Sequence, residues 1–439
     1  MSDHKGEEAV WIMQYYYNAK KDLKNKTAFP KTKIDQRKIV FRCRYLRSID
    51  ENEALKKVTA MTLAVERIVE EFNADVVFGM VMDSYLLDIF DLVMRSKDSQ
   101  YLGFLNNMIN GYSRLTSRGE LICLSRPSKE NIDKALNELC DKNYVPNMQN
   151  DFMWKTTILS MFFTKFLKEK IKILYYAIKK VIDRDPDNFY FNTVASTSCM
   201  SCRNLNQLFY RKYQNNDWLI RIKKAKEEGK KIVYMPLQFY PECSIDYWGT
   251  SEELSNFYEV VKKIISNKYE KVLIVAKEHP SATGLRKISF YKQFSENSEV
   301  ILAPFDVPSN LVIEHAEVIL TWTGSVGVEA IMRDKCLVTF GDAYYDYGYG
   351  IKKLENYMEL SRLDSVLEKV AENGVKPEKE KIVEYMLTGL IEGYIFPLDY
   401  ATKKNPVNNE KMELLARGIN DYVITLSKVG SYGVREGSL

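Results

Sequence analysis

In the second half of the chain, apolar residues come in short unbroken runs rather than alternating with polar ones. The runs are Lys231–Leu237, Lys271–Ala276, Val300–Leu302, Val318–Thr321 and Cys336–Phe340. A strand with apolar side chains on both faces needs cover on both faces. The segments between several of these runs, near 251–267, 285–297 and 325–333, carry helical spacing. Buried strands alternating with helices predict a parallel sheet covered on both sides. Ligands of such sheets bind at the carboxyl ends of the strands.

The first half has a similar rhythm with weaker marks. Lys38–Phe41 reads as a strand, 52–72 as a helix, Ala74–Gly79 as a strand, 84–96 as a helix and Tyr101–Leu105 as a strand. This predicts a second α/β unit. A long apolar and basic helix follows over 150–183, then a mixed segment to about residue 228. The tail from 378 to 427 reads as helical, interrupted at Pro397 and Pro406. The expected division is therefore 1–228, 229–377 and 378–439, without an internal repeat.

Size and charge narrow the classes. At 439 residues the chain is too long for one ordinary core. An apolar fraction of 46% is that of a globular protein, and 63 basic against 59 acidic side chains argue against a nucleic-acid partner. The seven cysteines are odd in number and scattered, and no signal peptide is evident. They read as reduced thiols in a cytoplasmic protein. Cys199 and Cys202 form one C-x-x-C without a second pair or a nearby histidine, so ordinary thiols are a better reading than zinc or redox chemistry. No apolar run approaches the ~18 residues of a membrane span. Residues 151–185 carry eight Lys/Arg against four acids, with Phe162, Phe163, Phe166, Leu167, Ile171, Leu174 and Ile178 on more than one face. A helix packed between domains is the preferred reading, and one resting on an anionic bilayer is the alternative.

Three constellations carry chemistry. Lys277-Glu278-His279-Pro280 follows a predicted strand. A histidine there, fixed by the proline, can donate to a phosphate oxygen as a nucleotide leaves. His4 falls in the terminus, and His315 in a predicted helix over Leu311–Ala316 reads as structural. Thr321–Ala330 is a small-residue turn entering a helix: Gly324 permits the turn, Thr323 and Ser325 supply hydroxyls, and Glu329 can face a ribose. An ordinary capped helix would show the same pattern. The loop Pro236–Asp246 puts Gln238, Glu242 and Ser244 after the first strand, where a carboxylate can attack an anomeric carbon or serve as a base. Asp83, Asp88, Arg118 and Glu120 are acceptor-side candidates, and Tyr344–Tyr349 can either stack on a ligand or pack the loop.

With these residues in hand, the chain resembles the bacterial capsular polysaccharide biosynthesis proteins that include the β-Kdo transferases. The resemblance lies mainly in residues 230–345: the Gln238…Glu242…Ser244 loop, the Lys277…His279-Pro280 turn and the Gly324-Ser-x-Gly-x-Glu-Ala330 turn. Before residue 230 it is weaker, an acidic residue after a strand and the Thr-x-x-Gly-Glu120 stretch. The resemblance implies a GT-B architecture of two Rossmann-like domains facing a cleft, acceptor domain first, with C-terminal helices crossing back. It implies a CMP-activated 3-deoxy-ulosonic acid as donor, a glycan or glycolipid acceptor, no metal cofactor, and work at the cytoplasmic face of the inner membrane beside capsule assembly proteins. Carried over, His279 and Pro280 with Lys277 would meet the donor phosphate, Thr323, Gly324 and Ser325 would complete that site, and Glu329 would face the ribose. Glu242 stands where the family pattern usually has aspartate beside the reacting sugar. Three other readings share these turns: a transferase of CDP-glycerol or CDP-ribitol, a nucleotide-sugar 2-epimerase, and a non-catalytic nucleotide-binding partner of a capsule complex. The first would want an acid shortly after the turn serine, and the second Gly-Gly-x-x-Glu-Glu, where this chain has Gly-Ser-Val-Gly-Val-Glu.

Overall fold

The computed structural model describes residues 5–106, 108–118, 126–141, 144, 146, 158–183, 205–240, 242–248, 251–279, 282, 284–346, 350–393 and 409–429. Its strands are β1 (Val76–Met80), β2 (Gln100–Asn106), β3 (Tyr112–Thr116), β4 (Lys231–Leu237), β5 (Val272–Glu278), β6 (Val300–Ala303), β7 (Val318–Thr321), β8 (Cys336–Thr339), β9 (Ile351–Lys353) and β10 (Leu390–Glu392). They form a four-stranded sheet ordered β1-β2-β3-β10 and a six-stranded sheet ordered β6-β5-β4-β7-β8-β9.

The larger sheet is parallel throughout. Its unbroken apolar strands are explained by cover on both faces. Val300, Ile274, Val233, Val318 and Cys336 are register partners in one row across the sheet and enter one core. That core is closed by Phe257, Val260, Val261 and Ile264 of the Phe257–Ser266 helix. The neighbouring positions Ile232, Leu273, Ile301, Ile319 and Leu337 enter the other core, under Trp218, Ile222, Val312 and Ile313. Numbered from its own first strand, the sheet runs 3-2-1-4-5-6, the doubly wound dinucleotide-binding order, and the direction of winding reverses between β4 and β7. These two strands pair only at Val233 and Tyr234 and part beyond. Pro236 falls in the parted stretch, where no ladder bond to β7 is required.

The smaller sheet is mixed: β1 and β2 are parallel, while β2, β3 and β10 are antiparallel. Its β10 comes from the tail that reads as helical in the sequence. Beside this sheet the Glu51–Phe72 helix buries Ala54, Val58, Met61 and Val65 in a core shared with Ile89 and Val93. The expected strand at Lys38–Phe41 is instead the helix Gln36–Arg42. The Asp35 carboxylate accepts from the Lys38 N–H at 3.1 Å, and this N-cap overrides the β-branched run. Packing also crosses the expected division at 228/229. Ile132, Ala135 and Leu139 of Lys129–Cys140, the helix Trp218–Glu227, and Ile382 and Met386 of Lys379–Thr388 all enter the larger sheet's core. In the other direction, Tyr247 and Trp248 insert into the core of the first unit.

Candidate functional site

Three loops leave the carboxyl ends of β4, β5 and β7, on either side of the point where the winding reverses. Gln238, immediately after β4, is their hub. Its Nε2 donates to Ser244 Oγ at 2.7 Å and lies 3.3 Å from Glu242 Oε2 and 3.4 Å from Thr323 Oγ1. Its Oε1 accepts from the Thr323 N–H at 3.3 Å. Ser244 Oγ donates to Glu242 Oε2 at 3.1 Å, and Thr323 Oγ1 to the Ser244 carbonyl at 3.1 Å. One amide thus fastens the β4 loop to the β7 turn and orients a carboxylate between them. Burial raises the Glu242 pKa; its bonds to Gln238 and Ser244 and the nearby Arg44 oppose that rise, while Asp246 adds to it.

The β5 loop is anchored from below. Strand β5 runs two residues further than the apolar run suggests, so Lys277 and Glu278 lie inside the sheet, 3% and 0% exposed. Glu278 Oε1 accepts the His279 backbone N–H at 2.7 Å; Oε2 accepts from Arg286 Nε at 2.5 Å and Tyr291 Oη at 2.9 Å. Arg286 Nη2 also donates to the Gln238 carbonyl at 2.5 Å, and its guanidinium stacks 4.5 Å from the Phe257 ring centre. This ion pair, wholly buried, joins the β4 and β5 loops behind the site.

Burial makes the charges of the two candidate side chains here easy to lose. Burial is the main cause that lowers the His279 pKa to about 4, helped by Lys277, Lys165 and Arg286, so the imidazole is neutral near pH 7. Its ring meets Phe239 edge-on at 6.0 Å. Burial likewise lowers Lys277 to about 8, with Glu278, Glu329 and Asp306 holding it up; its Nζ lies 3.4 Å from Ser309 Oγ. Glu329 and Lys277 are therefore electrostatic neighbours.

In the β7 turn, Thr323 is 3% exposed and its hydroxyl is already committed to the Ser244 carbonyl, so it braces the loops. Ser325 opens the helix Val326–Met332 with helical angles (φ −56°, ψ −21°) and makes no side-chain cap. Tyr345 Oη donates to the Gly324 carbonyl at 2.8 Å. Tyr344 and Tyr345 are buried packing, while Tyr347 and Tyr349 lie outside the described residues. His315 packs edge-on against Trp218 at 6.0 Å, in the helix Ser309–His315.

The first unit holds the remaining candidates. Asp83 is open to solvent in a recess whose walls raise its pKa, with Arg44 opposing. The same Arg44 acts on Glu242, and it donates to Asp246 Oδ2 at 2.9 Å while Arg47 donates to Asp246 Oδ1 at 3.0 Å. Asp83 and Glu242 thus share one arginine. Asp88 and Arg118 are a structural pair instead: Asp88 is 0% exposed, bonded to Arg118, which also donates to Asp91 at 3.0 Å. Glu120, Pro280, His4, Cys199 and Cys202 lie outside the described residues. Sequence reasoning missed Arg44, Arg47, Glu278 and Arg286. Only Glu278 had a signal, a carboxylate inside a named motif at the end of a buried strand. Among the described residues no group of three or more His, Cys, Asp or Glu side chains is arranged to hold a metal ion.

The family described as capsule polysaccharide biosynthesis protein matches residues 154–359. No curated protein sequence matches the chain significantly. Among solved structures, the β-Kdo 2,7 transferase of Thermosulfurimonas dismutans KpsC aligns at 17% identity and a TM-score of 0.27, over 48% of this chain and 65% of that one, under two thirds of its length. The β-Kdo 2,4 transferase of the same protein aligns at 11% and 0.33 over 77% and 86%. The UDP-GlcNAc 2-epimerase of Neisseria meningitidis, bound to UDP-GlcNAc, aligns at 12% and 0.26 over 77% and 81%. Scores this low carry no argument, and the fold rests on the strand order itself. Through residues 154–359, just under half its length and the stretch holding Gln238, Glu242, Ser244, Lys277, His279 and the Thr323–Glu329 turn, the chain is similar to the capsule polysaccharide biosynthesis proteins.

Proposed function

We propose that this protein is a glycosyltransferase that moves a CMP-activated 3-deoxy-ulosonic acid onto a surface polysaccharide or its lipid-linked precursor. The observation that carries the reading is the Gln238 hub at the winding reversal, which holds Glu242 beside the turns bearing His279 and Ser325. A nucleotide phosphate in that crevice meets a neutral imidazole donor, the Lys277 ammonium and the Ser325 hydroxyl. Donors fixed before the reaction stabilise the charge that develops on departing CMP. Glu242, oriented by Gln238 and Ser244, faces the cationic centre at the sugar. As nucleophile it forms a bond to the anomeric carbon while the bond to the CMP phosphate oxygen breaks. The acceptor hydroxyl then displaces Glu242 and gives its proton to a base, for which Asp83 is the candidate, so that configuration is retained.

The experiment is a panel of CMP-, CDP- and UDP-linked donors scored by released nucleotide, with wild type and Glu242→Ala. Release from the CMP-ulosonic donor alone is expected, with turnover falling on the order of a thousandfold or more in the variant. Release of CMP from CDP-glycerol would overturn the reading in favour of polyol-phosphate transfer. Near-normal turnover in Glu242→Ala would move the nucleophile elsewhere, with Asp83 next.

A further inference from the structure

The helix Ile158–Asp183 has two unlike sides. Near its start Phe162 is buried, stacked with Phe166 at 5.8 Å, and sits where a side chain on Gly284 would be, just after the His279 turn. The charge of Lys165 reaches His279. Away from this contact, Phe163, Leu167, Ile171, Leu174, Ile178 and Val181 are 48% to 75% exposed. At ~100° per residue these six fall within a sector of about 80°, roughly opposite Phe162. Exposed lysines border the stripe, Lys168 on one side and Lys170 on the other, and no acidic residue lies within it. Among the described residues no helix is long and apolar enough to cross a membrane.

We infer that this stripe is a docking surface for an anionic lipid bilayer, on which the helix lies flat. A continuous apolar face rimmed by ammonium groups suits the boundary between acyl chains and acidic headgroups, where lysine stems snorkel and their charges meet the lipid. The border charges decide against a second copy of the chain. The 4-and-3 spacing of the stripe would suit a helix pair, but a two-fold pair brings lysine borders together without the acidic partners such pairs use. Because Phe162 seats the opposite side of the helix on the Gly284 turn, docking holds the phosphate-binding loop within roughly one helix diameter, about 10–12 Å, of the lipid. The inference does not rest on the transfer reaction, since it is measured without donor or acceptor.

The test is co-sedimentation of the full chain with vesicles of phosphatidylcholine, with or without phosphatidylglycerol. Binding to the anionic vesicles is expected, released by salt and absent for phosphatidylcholine alone. The double variant Leu174→Glu, Ile178→Glu should lose at least about tenfold in partitioning, and Lys168→Glu, Lys170→Glu should lose a similar factor, with circular dichroism unchanged in both. Equal binding to neutral vesicles would overturn the inference, as would full binding by the Leu174/Ile178 variant. A wild type that ignores vesicles but forms a dimer lost in that variant would assign the stripe to a second copy.

Discussion

Lys277 and His279 flank one buried glutamate, and burial weakens the hold of both on a proton. The consequences for binding and stability have different signs. Lys277 loses its charge as pH rises through about 8. A phosphate held by that ammonium should therefore bind about tenfold or more weakly well above this pH, the worth of a hydrogen bond to a charged group. In Lys277→Arg the decline should vanish, because a guanidinium does not titrate there; titration with CMP on either side of pH 8 is the check, and an identical decline in both proteins would remove Lys277 from the site. Stability responds oppositely. Between about 8 and 10.5 the unfolded chain binds a proton that native Lys277 has released, so this group's contribution to stability rises with pH. For His279 the window lies between about 4 and 6.5, and stability falls as pH drops through it. Part of the candidate site was legible at this scale: Gln238, Glu242, Ser244 and Thr323 meet in one hydrogen-bonded cluster, as their positions after strands imply, whereas Lys277 lies inside β5. Arg44, Arg47 and Arg286 were not legible, because an arginine's role depends on which buried carboxylate it reaches, and those partners lie between 8 and 202 residues away.

Two glycines decide how elements close on the site. Gly284 has φ +77°, and a methyl group there would lie 2.2 Å from the Phe162 ring. Gly327 sits in the helix after the β7 turn, where a methyl group would lie 2.1 Å from Tyr345 Oη, the atom that holds the Gly324 carbonyl. Overpacking of this kind costs about 1–3 kcal/mol, and the φ of Gly284 adds strain. Gly327→Ala should therefore lower thermal stability by that amount and displace the turn, whereas Tyr345→Phe, which removes only the hydrogen bond, should cost about 1 kcal/mol. Equal midpoints for Gly327→Ala and wild type in a thermal melt would show that Tyr345 can move aside. Elements were legible where patterns were long. All five apolar runs of the second half are strands, since full burial leaves nothing to mask the signal. Gln36–Arg42 reads as a strand in the sequence because a three-residue apolar run, Ile39–Phe41, has no period of its own, and the Asp35 cap settles it as a helix. Strand β10 was hidden because its three residues pair only with β3.

At the scale of the molecule, the two sheets are tied by buried charge and by exchanged side chains. Asp246, 2% exposed, draws Arg44 and Arg47 of the first unit to the loop of β4, and Tyr247 and Trp248 follow it into the first core. Arg114 of β3 donates to the Tyr344 carbonyl at 2.8 Å, a second tie. Arg44, one of these ties, is also an electrostatic neighbour of Glu242. The order of strands in the larger sheet followed from the sequence only as a class, parallel and covered. Its 3-2-1-4-5-6 order, which puts the crevice between β4 and β7, is a long-range property that no local run encodes. That crevice is the centre of the functional account, and the most direct test is calorimetric titration of wild type and His279→Ala with CMP and UMP. The account predicts that CMP binds wild type more tightly than UMP does, and that the variant loses about tenfold or more in CMP affinity while its melting curve still shows a folded protein. Equal affinity for the two nucleotides, or unchanged CMP binding by His279→Ala, would contradict it.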